Sequence, residues 1–104
     1  MKVDVVRNDE IVDYKAICDK YDKIVISPGP GLPKESKEMM TLIQTAEGNI
    51  PILGVCLGMQ ALAEYLGGEL YNQSEVKHGV EETIVVGNSL LFNGINPEIK
   101  VGLY

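Results

Sequence analysis

A chain of 104 residues has room for one small domain, and 45% hydrophobic with 23% charged residues is the balance of an ordinary soluble globular protein. A formal net charge of −6, with Arg7 as the lone arginine, argues against nucleic acid as a partner and leaves bidentate anion clamps poorly supplied. Two cysteines and one histidine make neither a disulfide framework nor a zinc ligand set, and no apolar run approaches the roughly 18 residues of a membrane span.

No secretory signal core opens the chain, so the expectation is a reduced, cytoplasmic protein without metal, cofactor or membrane contact. Lys2–Arg7 alternates imperfectly and reads as a short strand ended by Asn8-Asp9. From Ile11 to Tyr21, Ile11, Tyr14 and Ile17/Cys18 recur at helical spacing and predict a weak helix or irregular crossover. Lys23–Ile26 is a short apolar strand. It is closed by Ser27-Pro28-Gly29-Pro30-Gly31-Leu32-Pro33, whose prolines and glycines fix a rigid loop.

Ser36 is a good N-cap for a helix that carries Met39, Met40, Ile43 and Ala46 inward and stops at Gly48-Asn49. Pro51–Cys56 predicts a buried strand. Leu57–Leu66 predicts a helix with Ala61, Leu62, Tyr65 and Leu66 on its apolar side, ended by Gly67-Gly68. Beyond it the texture changes, and Leu70–Gln73, Glu82–Val86 and Ser89–Phe92 read as short strands between Gly and Asn turns. The order of elements predicts an α/β fold: parallel βαβ units first, an antiparallel extension last, and no interdomain linker.

Gly54-Val55-Cys56-Leu57-Gly58 places one thiol on a sharp strand-to-helix corner, where the helix N-terminus favours an anion. Cys56 is therefore a candidate nucleophile, flanked by glycines because such a corner leaves no room for side chains. A buried cysteine at the end of a hydrophobic strand would leave the same pattern. The Pro28–Gly31 loop follows another parallel strand and lies at the same carboxyl edge, where open amide N–H groups suit an oxyanion. Gln60, one helical turn after Cys56, can hydrogen-bond a substrate amide or carboxylate. His78, in the polar Lys77-His78-Gly79 turn, reads as a surface residue; Met39 and Met40 read as core filler and Glu81-Glu82 as a solvated turn.

These motifs together strongly resemble the class I glutamine amidotransferases. The Ser-Pro-Gly-Pro-Gly-x-Pro wording of the loop resembles the branch that serves anthranilate synthase or aminodeoxychorismate synthase. Val6-Arg7-Asn8-Asp9, Gly67-Gly68, His78-Gly79 and Leu91-Phe92-Asn93-Gly94 stand in the family's order, so the likeness runs end to end. It implies a flavodoxin-like parallel sheet with helices on both faces. It also implies hydrolysis of L-glutamine through a Cys56 thioester, with ammonia passed to a chorismate-binding synthase large subunit. The amides of Gly29 and Leu57 would form the oxyanion hole, and Gly29, Pro30, Gly31 and Gln60 would hold the glutamine.

The family also has a first strand and helix with an Asp-Asn-Tyr-Asp-Ser-Phe-like segment, and a later Tyr-His-Ser tract whose opening tyrosine Tyr104 resembles. Its catalytic His and Glu follow that tract and do not map onto residues 1–104; His78 is not the family's base. The expectation is a partial amidotransferase domain over 1–104, incomplete relative to the family and inactive alone. Two rival readings are a non-catalytic amidotransferase-like module that docks on a synthase subunit, and a hydrolase-type cysteine elbow.

Overall fold

The two apolar runs that lead into the Pro/Gly loop and the cysteine corner form parallel strands in the computed structural model, which describes all 104 residues. Ile24–Ile26 (β1) pairs with Ile52–Gly54 (β2) in the register Ile24↔Ile52, Val25↔Leu53 and Ile26↔Gly54. The fold is α/β as the order of elements predicts. The chain divides into two units, Met1–Leu70 and Tyr71–Tyr104, and the second begins where the sequence changes texture.

In the first unit, α1 (Tyr14–Lys20) is capped by Asp13, whose carboxylate accepts from the Ala16 N–H at 2.9 Å. Helix α2 (Lys37–Ala46) starts at Ser36, whose hydroxyl accepts from the Met39 N–H at 3.4 Å. Helix α3 (Leu57–Tyr65) follows β2 directly, and α2 packs against both α1 and α3. Met39 and Ile43 of α2 meet Leu57 and Ala61 of α3 in the core, with Ile26, Met40, Leu62 and Tyr65 around them. Leu42, Ala46 and Ile50 are buried as well. Tyr65 donates to the Glu47 carboxylate at 2.5 Å, a bond that ties the end of α3 to the end of α2 and raises the phenol above its ordinary range.

Several expectations need correction. Lys2–Arg7 and Leu70–Gln73 form no strand: a strand exists only within a ladder, and β1 and β2 pair with each other alone. Asp4 is instead held by the Tyr21 hydroxyl at 3.0 Å. The strand within Pro51–Cys56 is only three residues and half-buried. Helix α3 covers the Ile26 face, while Val25 (63% exposed) and Leu53 (44%) look outward. Leu66 is exposed because α3 ends before it, with Gly67 turning the chain at φ +88°. Ser89–Phe92 is a 3-10 turn at Leu90–Phe92, capped by the Ser89 hydroxyl.

The second unit is an antiparallel ribbon of β3 (Val80–Val85) and β4 (Glu98–Leu103), the latter not among the expected strands. Val80, Ile84, Ile99, Val101 and Leu103 share one face through the pairs Val80↔Leu103, Glu82↔Val101 and Ile84↔Ile99. On the other face Lys100 pairs with Glu81 at 2.7 Å. His78 is exposed in the turn before β3, its ring edge-on to Tyr104 at 5.9 Å. No helix of the chain is long and apolar enough to cross a membrane.

Candidate active site

Because β1 and β2 are parallel and in register to their last residues, their carboxyl ends emerge side by side. The Val55 N–H still donates to the Ile26 carbonyl at 3.0 Å, so the ladder holds up to the residue before Cys56. Cys56 then turns the chain into α3 with φ 52° and ψ −108°, and no other non-glycine residue has a positive φ. Such a conformation costs an L-residue about 1–3 kcal/mol and persists only where the surroundings impose it. The thiol is exposed, which answers the alternative of a buried structural cysteine.

The surroundings that impose it are the two flanking glycines. A Cβ on Gly54 would lie 2.4 Å from the Gly58 carbonyl carbon and 2.5 Å from the Met59 nitrogen. One on Gly58 would lie 2.5 Å from the Ile26 carbonyl oxygen. Strand, corner and helix are thus in backbone contact, and the corner is as tight as the motif suggests.

Leu57 is the first residue of α3, so its N–H has no intrahelical acceptor, and it meets no other main-chain carbonyl. Its side chain is buried and its Cδ2 lies 3.0 Å from where a Gly29 Cβ would stand, so the loop abuts the corner with no space between them. The Gly29 N–H likewise donates to no main-chain carbonyl. Pro30 is exposed, and Gly31 takes φ +80°, a turn that glycine alone makes without strain. Gln60 is half-buried one turn along α3, its N–H bonded to the Cys56 carbonyl at 3.0 Å. The first turn of α3 carries no acidic residue, so its N-terminal dipole faces the corner uncompensated.

Glu35 was not among the sequence candidates. Its carboxylate accepts from the Leu32 N–H at 2.8 Å and closes the loop from behind. The pattern Leu32-Pro33-x-Glu35, an acidic residue three places after a helix cap with proline between, is the signal that marks it.

Parallel strands, a glycine-bracketed cysteine corner and a glycine-rich loop pressed against it thus meet at one edge of the sheet. The family model described as glutamine amidotransferase class-I matches residues 1–104, and the chain belongs to that family. It is similar to anthranilate synthase component 2 of Lactococcus lactis subsp. lactis, 39% identical over 98% of this chain and 52% of the relative. It is also similar to aminodeoxychorismate synthase component 2 of Escherichia coli, 38% identical over 96% of this chain and 54% of the relative. Anthranilate synthase component 2 of Pseudomonas putida is 34% identical over 99% of this chain and 52% of its own length. The chain spans about half the length of these curated relatives.

Proposed function

We propose that this chain carries the nucleophile and oxyanion cradle of a glutaminase that feeds ammonia to a chorismate-binding synthase component, for anthranilate or 4-amino-4-deoxychorismate synthesis. The names of its relatives support the synthase branch. The observation that carries the reading is the strained Cys56 corner beside two amides with no main-chain acceptor, those of Gly29 and Leu57. The Cys56 thiolate attacks the γ-carboxamide carbon of glutamine, and the carbonyl π pair moves to oxygen. That oxyanion takes hydrogen bonds from the Gly29 and Leu57 amides, where one such donor is worth about 10²–10³ in rate.

Collapse expels the nitrogen, protonated by a general acid, as ammonia and leaves a γ-glutamyl thioester. Water then releases glutamate and the free thiol. Gly31, Pro30 and Gln60 hold the amino-acid end of the substrate. A general acid–base, typically worth about 10²–10⁴-fold, completes the cycle; His78, exposed in the turn before β3, is not assigned that role.

A glutamine-shaped chloroketone tests the assignment by peptide mass mapping of the modified chain. The expected adduct is on Cys56, slowed by added glutamine, with ester mimics giving none. Cys18 reacts more slowly, because it is half-buried, and burial, with Asp19 next to it, pushes its thiol up. Equal modification of both thiols, or labelling that glutamine does not slow, would overturn the substrate assignment.

A further inference from the structure

Gly29 can serve an oxyanion only if its N–H keeps one direction, yet Pro28–Leu32 has no strand or helix to hold it. What holds it is a turn built immediately after. Pro33 is fully buried, and the 3-10 turn Pro33–Glu35 packs against both α2 and α3. Within that turn the Glu35 N–H donates to the Leu32 carbonyl and the Ser36 N–H to the Pro33 carbonyl, each at 3.0 Å. Ser36 is fixed in its turn as the cap of α2 and as acceptor of the Asn8 side-chain amide at 3.2 Å.

From this anchor the Glu35 carboxylate reaches back. Oε2 accepts from the Leu32 N–H at 2.8 Å and stands 2.6 Å from where a Gly31 Cβ would be. Glycine at 31 therefore serves two needs: its φ of +80°, and room for this carboxylate under the loop. The loop is pinned at one end by Glu35 and at the other by Gly29 against Leu57. We propose that Glu35 is a positioning residue: it fixes the curvature of the Gly29–Gly31 loop and so aims the Gly29 amide at the oxyanion. The inference rests on the glutaminase reading above and adds a residue to it.

Two reactions of the same thiol separate this role from a general structural one. An activated γ-glutamyl aryl ester acylates Cys56 through a tetrahedral oxyanion: sulfur bonds to the carbonyl carbon, and the aryloxide departs with the bonding pair, needing no proton. Iodoacetamide alkylates Cys56 by direct displacement of iodide at a saturated carbon, with no oxyanion. In the intact protein, Glu35→Ala is expected to slow acylation about 10-fold, since small misplacements of a catalytic group cost that much or more. Iodoacetamide alkylation stays within about twofold of wild type. Glu35→Gln, which keeps a carbonyl oxygen in the same reach, restores most of the acylation rate. Acylation unchanged in Glu35→Ala, or both reactions slowed equally, would overturn the proposal while leaving the glutaminase reading intact. A wild-type protein that the ester does not acylate would overturn both.

Discussion

Gly54→Ala lowers the stability of the chain by about 3 kcal/mol, the upper end of what overpacking usually costs. The reason is that every near neighbour of the new methyl group is backbone: the Gly58 carbonyl carbon at 2.4 Å, with its oxygen and the Met59 nitrogen at 2.5 Å. No rotamer change relieves such an overlap; α3 itself must move off β2. Gly58→Ala is expected to cost less, about 2 kcal/mol, because helix propensity returns up to about 1 kcal/mol. Gly87→Ala is the control. Its Cβ meets nothing within 4 Å and its φ is not positive, so it stays within about 0.5–1 kcal/mol of wild type. Urea denaturation of the three variants checks the order Gly54, Gly58, Gly87. A Gly54→Ala variant as stable as wild type would show that strand and helix are not in backbone contact.

Cys56→Gly makes the chain more stable and removes the thiol from the corner, leaving Cys18 as the remaining thiol. At φ 52° and ψ −108° the wild-type residue carries strain of about 1–3 kcal/mol, which glycine does not feel. Glycine returns about 0.4–1 kcal/mol of that through its freer unfolded state, leaving a net gain of about 1 kcal/mol. Cys56→Ser keeps the Cβ, and with it the strain, so its midpoint should match wild type. The contrast between the two variants separates conformational strain from any loss of side-chain packing, since the thiol is exposed. A Cys56→Gly chain less stable than Cys56→Ser would mean that the corner is not strained.

How much of this was legible in the sequence follows from what each feature depends on. The corner was legible because a Gly-x-Cys-x-Gly run between an apolar strand and an amphipathic helix leaves few other geometries. The Gly54 and Gly58 approaches bear out the reason given for those glycines. Helix α2 was legible from local chemistry alone, its Ser36 cap and its apolar spacing. Strands were read less well, because strand identity lies in a partner. Lys2–Arg7 alternates yet meets no ladder, whereas Glu98–Leu103 becomes β4 through its pairing with β3. Glu35 escaped notice because the Leu32-Pro33-x-Glu35 pattern marks only a turn, and it takes the fold to show its carboxylate reaching back to the Leu32 N–H beneath the glycine loop. The exposed face at Val25 and Leu53 escaped for a related reason: an apolar run does not say on which side a helix will lie.

Ammonia release from glutamine by the intact protein, compared between wild type and Cys56→Ser, bears most directly on whether Cys56 is the attacking group. Wild type should release ammonia and glutamate in equal amounts. Cys56→Ser, folded to the same stability, should lose about 10⁴-fold or more of the rate, as loss of a catalytic nucleophile does elsewhere. Turnover that survives the substitution would contradict the assignment of Cys56.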